Sequence, residues 1–312
     1  MHAKYGGVIP EIASRNHIDF IGSIFQESLD AADIPINGIN LIAVAEGPGL
    51  IGALIVGIHF AKGLCMGLNI PLVGVNHVEA HLYSAWMSHN GEIPLPALGV
   101  VLSGGHTALL KINSISDYEL IGQTQDDACG EAFDKVATLL DLPYPGGPNI
   151  EELAKIGDPH RFSFKAGSVK NRPFDFSFSG LKTAVLYLLK GQNCSKSHIQ
   201  TILESDKKDV AASFQYAAFT DVVSKAKKAA RLFAAKSVII GGGVSQNLML
   251  RSIFENSIQD IPLFWPKKGL SLDNGAMIAG LGYEKYKKEG PTDPLMLNPK
   301  PRIPFKQTGQ FT

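Results

Sequence analysis

The sequence predicts an α/β fold with mainly parallel strands in about two domains. Its 312 residues amount to about two domains at roughly 150 residues each. Short apolar runs, which are typical of buried strands, alternate with longer stretches of helical periodicity. Three of the strand-like runs end in glycine-rich loops, at Gly47, Ser103 and Gly241. A strand–loop–helix unit that recurs in this way indicates a parallel sheet with helices on its faces.

Each predicted strand is a short, mostly apolar run that is bounded by glycine, proline or polar residues. The predicted strands are 41–46, 71–75, 97–102, 107–113, 237–240 and 263–265. The run 107–113 follows a turn and is therefore predicted to form a hairpin with 97–102.

The predicted helices carry apolar residues three or four positions apart, as at Phe214, Ala218 and Val222. They are 50–68, 77–89, 125–141, 181–190, 209–235 and 274–287. The helix 50–68 is apolar almost all round, so we expect it to pack in the core or against a partner. Two prolines within 93–96 indicate a linker, and five between 291 and 304 indicate an extended tail.

Composition excludes several classes of protein. Lys and Arg together number 29, as do Asp and Glu, so the net charge is zero and the chain is not a strongly basic nucleic-acid binder. The cysteines are Cys65, Cys129 and Cys194. An odd number without a CxxC pair argues against a disulfide scaffold or a cysteine zinc site and favours a reducing compartment, so we expect a cytoplasmic protein. No apolar run approaches 18 residues and no signal peptide is evident, so we expect no membrane span.

The glycine-rich loops are candidate phosphate sites, because backbone N–H groups at a helix start attract anions. The run 47–52 matches the dinucleotide pattern only formally, since Pro48 has no N–H and no acidic residue ends the next strand, so packing is the favoured interpretation. The loop 103–107 offers amides and hydroxyls to a phosphate, with an ordinary tight turn as the alternative. The loop 241–247 suits a flat nucleoside that Asn247 could hydrogen-bond, with the same alternative.

Two histidines four residues apart predict a metal site. His77 and His81 lie on one face of a helix, which suits one divalent ion. Asp273 is the candidate third ligand, with a helix N-cap as its alternative role. Glu79 lies about 200° round the helix from His77, so it cannot act as the base of a zinc peptidase does, and this argues against a metallopeptidase.

An acidic face is predicted where Asp127, Glu131 and Asp134 follow one another at helical spacing. Lys135 is expected to point elsewhere, so it would not offset these charges. The face is either a solvated surface or a set of acceptors for ribose or substrate hydroxyls. The loop 144–148 could bring its backbone to the same ligand.

Taken together, these segments resemble the tRNA N6-adenosine threonylcarbamoyltransferase family. The resemblance rests on nine segments in one order: 6–17, 46–57, 76–81 (NHVEAH), 102–107 (LSGGHT), 126–135, 143–148, 176–183 (FSFSGLKT), 241–247 and 273–280. It implies the two-lobed, actin-like ATPase fold with ribonuclease H-like lobes. It also implies transfer of a threonylcarbamoyl group from threonylcarbamoyl-AMP to N6 of the adenosine next to the anticodon, in tRNAs that read codons beginning with A.

The resemblance also implies roles for individual residues. The metal ligands would be His77, His81 and Asp273, holding iron, with zinc as the alternative. The acyl-adenylate would be contacted by Val101, Leu102, Ser103, Gly104, Gly105, Asp134, Gly147 and Asn247. Implied partners are tRNA, a related actin-like (TsaB-like) subunit at helix 50–68 and a small (TsaE-like) ATPase. The first lobe would comprise 1–95 with 275–312 returning to it, and the second would comprise 96–274.

Two features depart from the family pattern. Ala80 stands where the family has glycine, which leaves the ligands intact. The family's N-terminal strands and their phosphate loop are missing, so we expect that Met1 is a late start and that the chain as it stands is poorly stable and weakly active. The alternatives are a non-catalytic actin-like scaffold subunit, a metallopeptidase, or a relative of the sugar and acetate kinases.

Overall fold

The strands form two sheets in the computed structural model, which describes residues 9–191 and 204–308. The strands are β1 (Ile42–Gly47), β2 (Leu72–Asn76), β3 (Ala97–Leu102), β4 (Thr107–Ser114), β5 (Asp117–Gln123), β6 (Ser237–Gly241), β7 (Leu263–Phe264) and β8 (Lys306–Gln307). The helices are α1 (Pro10–Ala32), α2 (Ile51–Leu68), α3 (His77–Trp86), α4 (Cys129–Leu139), α5 (Gly146–Ala154), α6 (Ser179–Lys190), α7 (Lys207–Leu232), α8 (Leu248–Ser257) and α9 (Gly275–Glu289).

The smaller sheet consists of β1 and β2, which pair in parallel and carry a helix on each face. Because side chains alternate along a strand, Leu72 packs against α2 whereas Val73 and Val75 pack against α9. Helix α9 therefore returns from the far end of the sequence to the smaller sheet.

Helix α2 bears on the expectation of no membrane span, which stays a prediction because a single helix of this kind is weak evidence for a span. By length and composition alone it is long and apolar enough, with a mean hydropathy of 1.7, although Gly and single polar residues interrupt the run. Only 22% of it is buried, through a stripe that includes Leu54, Ile58 and Ala61 and packs on the smaller sheet. Helix α1 packs on it as well, with the rings of Phe25 and Phe60 5.5 Å apart.

The larger sheet has the strand order β7-β6-β3-β4-β5-β8. The hairpin of β3 and β4 is antiparallel as predicted, and β3 pairs in parallel with β6. One face of β3 packs against α4 and α7, where Phe133 stacks on Phe219 with ring centroids 5.1 Å apart. The other face packs against α3. Since α3 also contacts β2 and α9, it lies at the junction of the two sheets.

The structure differs from the sequence-based elements in several places. It adds α1, α5, α8 and β5, and α4 begins at Cys129 rather than at residue 125. That start is delayed because Asp126 accepts hydrogen bonds from Ser177 and Ser179, which hold the preceding residues as a loop. The end of the tail also differs, since β8 pairs with the free edge of β5 in the larger sheet. Cys194 lies outside the described residues.

Candidate metal centre and nucleotide site

Helix α3 presents both predicted histidine ligands on one face. Strand β2 runs directly into it, and the N-cap residue Asn76 accepts a hydrogen bond from the amide of Val78 at 2.9 Å. The ring centroids of His77 and His81 are 4.6 Å apart. The side chain of His77 is 20% exposed and that of His81 is fully buried.

Asp273 joins the two histidines from the start of α9. Its Oδ1 atom lies 3.2 Å from His81 Nε2 and 3.6 Å from His77 Nε2. The alternative role as N-cap is wrong, because Asn274 caps α9 by accepting a hydrogen bond from the amide of Met277 at 2.9 Å. The carboxylate is therefore left to face the imidazoles.

These three residues fit a metal ion. One donor atom from each lies within 4.8 Å of the others. His81 is buried, yet neither of its ring nitrogens has a hydrogen-bond partner of good geometry, and a buried polar atom without a partner is costly. Two imidazoles and one carboxylate, with coordination positions left open, are typical ligands of iron(II) and of zinc.

The protonation states also suit ligation. Burial, reinforced by the neighbouring His81, lowers the pKa of His77 to about 4. The contact with His81 lowers the pKa of Asp273, and His77 adds to this effect. At neutral pH these groups are therefore a neutral imidazole and an ionised carboxylate, which are the forms that bind metals.

Glu79 lies away from the ligands, as its spacing predicts. Its charged neighbours are Lys285, Glu289 and Glu46, and burial raises its pKa to about 7. It is therefore not placed as the base of a metallopeptidase.

We expect Glu79→Gln to stabilise the protein above pH 7, by about 2 kcal/mol. Between its ordinary value of 4.5 and about 7, the folded protein holds a proton on Glu79 that the unfolded chain has lost. Stability must therefore fall as the pH rises through this window in the wild type, and the variant should lack that fall. Thermal midpoints from pH 5 to 9 measure it, with Glu255→Gln on the exposed side of α8 as control. Equal midpoints for Glu79→Gln and the wild type at pH 8 would contradict the prediction.

The loop after β3 forms a tight turn beside the histidines. The amide of Ser103 donates to the carbonyl of His106 at 2.9 Å, and the amide of His106 donates to Ser103 Oγ at 3.1 Å. Ser103 is thus engaged within the turn, while Gly104 and Gly105 are exposed and face open space. Val101 and Leu102 lie in β3 with fully buried side chains, so a ligand at this loop could meet only their backbone.

Asp134 and Gly147 meet at the start of α5. Asp134 Oδ1 accepts a hydrogen bond from the amide of Gly146 at 2.7 Å. Burial raises the pKa of Asp134, and the amides of Gly146 and Gly147 oppose that effect. The carboxylate and the open backbone at Gly147 therefore lie next to each other, and their role as nucleotide contacts stays a prediction.

The expectation that Lys135 points away from the acidic face is wrong. Its Nζ atom lies 2.8 Å from Glu131 Oε1 and also binds Asp127. Because α4 begins only at Cys129, Asp127 precedes the helix and both carboxylates come within reach of one lysine. Lys182 adds a second positive charge beside Asp127, with its Nζ atom 3.7 Å from Asp127 Oδ2.

The loop after β6 uses its glycines for close packing rather than as an open platform. A Cβ atom on Gly241 would collide with the carbonyl oxygen of His81, and one on Gly242 would collide with that of Leu102. Gly242 also has a φ of +93°, which favours glycine. Asn247 follows as the N-cap of α8, and its Nδ2 atom donates to Gln215 Oε1 at 2.7 Å.

His106 is a residue of this site for which the sequence analysis assigned no role. Its ring centroid lies 6.3 Å from that of His77. In the sequence, its position directly after Gly105 of the candidate phosphate loop was a signal that His106 could belong to the site. The closeness of this loop to α3 follows from the fold and could not be predicted from the sequence.

Comparisons with known proteins identify the family of the chain. The sequence model of TsaD, tRNA N6-adenosine threonylcarbamoyltransferase, matches residues 1–280. A protein of that name from Protochlamydia amoebophila is 53% identical over 307 residues, covering 98% of this chain and 89% of its own length. Another from Chlamydia trachomatis is 49% identical over 286 residues, covering 90% of this chain and 82% of its own.

Solved structures confirm the fold class. HypF from T. kodakarensis aligns with a TM-score of 0.59 at 17% identity, over 81% of this chain and 42% of its own. Full-length HypF in a phosphate- and nucleotide-bound form aligns with a TM-score of 0.63 at 13% identity, over 88% of this chain and 51% of its own. At such identities the likeness shows the fold alone, and that fold is the expected two-lobed, actin-like one. By its sequence, the chain belongs to the tRNA N6-adenosine threonylcarbamoyltransferase family.

Proposed function

We propose that the chain transfers the threonylcarbamoyl group from threonylcarbamoyl-AMP to N6 of the adenosine next to the anticodon, in tRNAs that read codons beginning with A. The N6 amine forms a bond to the carbonyl carbon, the bond from that carbon to the phosphate oxygen breaks, and AMP leaves with the electron pair as the amine loses a proton. Family membership supports the reaction. The single observation that carries it is the convergence of His77, His81 and Asp273 beside the loop after β3.

The chain's own residues would bind and orient the adenylate. Exposed backbone at Gly104 and Gly105 would approach the phosphate, and Asp134, Gly147 and Asn247 would line the nucleoside side. His77, His81 and Asp273 would hold one divalent ion, iron or alternatively zinc. The chemistry that this ion supplies when bound is Lewis-acid polarisation of a carbamoyl or phosphate oxygen.

The proposal includes partners, a location and a division into lobes. The exposed side chains of Leu50, Ile51, Ile55 and Met66 support docking of a TsaB-like, actin-like subunit on helix 50–68. A TsaE-like small ATPase and a cytoplasmic location complete the proposed setting. The first lobe would comprise 1–95 and the chain from 275 onward, which the packing of α9 on the smaller sheet supports, except that β8 at 306–307 joins the sheet of the second lobe. The second lobe would comprise 96–274.

We expect His77→Ala to lower both the metal content and the transfer rate, the latter by about 100-fold. Metal analysis and transfer of labelled threonylcarbamoyl groups to transcript tRNA measure the two effects, with the partner proteins present. The control is His160→Ala, which removes an exposed imidazole that packs on Tyr216. Unchanged metal content in His77→Ala would refute the ligand assignment. A wild-type chain that holds metal but transfers nothing would favour the scaffold alternative.

A further inference from the structure

Three imidazoles lie close together at the candidate metal centre. The ring centroid of His77 lies 4.6 Å from that of His81 and 6.3 Å from that of His106. The interplanar angles are 66° and 61°, so both contacts are edge-to-face. Distances of this size are within the range at which aromatic rings attract one another.

His106 is not itself one of the converging ligands. Within residues 9–191 and 204–308, the donor atoms that gather within 4.8 Å belong to His77, His81 and Asp273. His106 approaches the group from a different element, the turn after β3. Its contact is with the ring of a ligand, which is the position of a supporting residue.

The turn holds His106 through its backbone. The two hydrogen bonds between Ser103 and His106 close the turn, and the amide of Gly130 at the start of α4 donates to the carbonyl of Ser103 at 3.2 Å. None of these bonds uses the imidazole. The side chain can therefore be replaced without removing the bonds that define the turn.

His77 needs support more than the other histidine does. It is the first residue of α3 and its side chain is 20% exposed, whereas His81 is enclosed by the core. A side chain with solvent on one side loses rotamer freedom when it binds a metal, and a neighbouring ring reduces that loss in advance. Of the two rings beside His77, only that of His106 lies outside α3.

We propose that His106 is a positioning residue, whose ring holds the imidazole of His77 in the orientation that binds the metal. This inference rests on the metal site of the proposed function. It adds a link between the two halves of that site, because the turn that carries His106 also carries Gly104 and Gly105.

Titration of the metal-free, full-length chain with cobalt(II) tests the proposal through the visible absorption of the bound ion. His106→Ala and His106→Asn should weaken cobalt affinity about 10-fold. His106→Phe restores a ring without a nitrogen, and it should bind cobalt with nearly the wild-type affinity and spectrum. His89→Ala, which removes an exposed imidazole packed edge-to-face on Phe264, should change neither.

Two outcomes would overturn the inference. Wild-type affinity in His106→Ala would show that the ring does not position His77. A loss of cobalt affinity in His106→Phe as large as that in His106→Ala, at an unchanged thermal midpoint, would also overturn it. That result would show that a ring nitrogen is required and that His106 acts as a ligand or hydrogen-bond donor. If the wild type bound no cobalt, the metal site of the proposed function would fail before the inference is reached.

Discussion

Asp273→Asn should abolish metal binding and reduce threonylcarbamoyl transfer by about 100-fold or more, while the thermal midpoint of the metal-free protein stays nearly unchanged. The carboxylate is the one anionic group among the three converging donors. Its side chain is 75% exposed and Asn274 caps α9, so the contact of its charge with the imidazoles adds only a little to the stability of the fold. Metal analysis, the tRNA transfer assay and thermal unfolding measure the three expectations.

Asp260→Asn is the matched control, because Asp260 is an exposed aspartate on the loop before β7. It should leave metal content and transfer unchanged. A full metal complement in Asp273→Asn would exclude Asp273 as a ligand, and a large fall in its thermal midpoint would assign it a structural role instead.

Gly242→Ala should destabilise the protein by about 4 kcal/mol, or prevent it from folding. The residue has a φ of +93°, and an added Cβ would collide with the carbonyl oxygen of Leu102. That oxygen belongs to the backbone of β3, which β4 and β6 hold on either side, so it cannot move aside. Thermal unfolding and the yield of soluble protein measure the effect.

Gly63→Ala is the control for this change. Gly63 is exposed within α2 and an added Cβ would meet no atom within 4 Å, so the variant should be more stable by about 0.5–1 kcal/mol. A Gly242→Ala protein as stable as the wild type would mean that the ends of β3 and β6 are not as tightly packed as the structure has them.

The sequence predicted the elements whose signals are local. Strand β3 was predicted with its exact bounds, because both of its faces are buried and prolines and Ser-Gly-Gly flank it. The spacing of His77 and His81 predicted a shared helix face, and the structure has that face. Asp273, nearly two hundred residues away, was named from the sequence as the candidate third ligand with an N-cap as its alternative role, and the family resemblance favoured the ligand.

Elements with weak or distant signals were missed. Helix α1 is an exception, because Ile21, Phe25 and Leu29 stand four residues apart in it and this helical spacing was overlooked. Helix α5 begins at Gly146–Gly147, which in sequence indicates a loop, and its first amide is capped by Asp134 from another helix. For Lys135, the pair with Asp127 was missed because it depends on where α4 begins, whereas the pair with Glu131 follows from a spacing of four residues that the sequence already shows.

The glycines after β6 are another feature whose physical role could not be predicted from the sequence. Three in a row suggested a flat surface for a nucleoside, but two of them make room for the carbonyls of His81 and Leu102. Such a contact joins segments more than a hundred residues apart, and no local pattern reports it. The resemblance predicted that this loop belongs to the site, whereas the physical reason for its glycines came from the fold.

The contact between Gly241 and the carbonyl of His81 has a thermodynamic consequence. It leaves no space between the strand that leads to Asn247 and the helix that carries two metal ligands, so neither can shift without displacing the other. The metal site and the nucleotide site of the proposed function would share this boundary, so we expect binding at one to alter the affinity at the other. By thermodynamic reciprocity, the nucleotide and the ion must then change each other's affinity by the same factor.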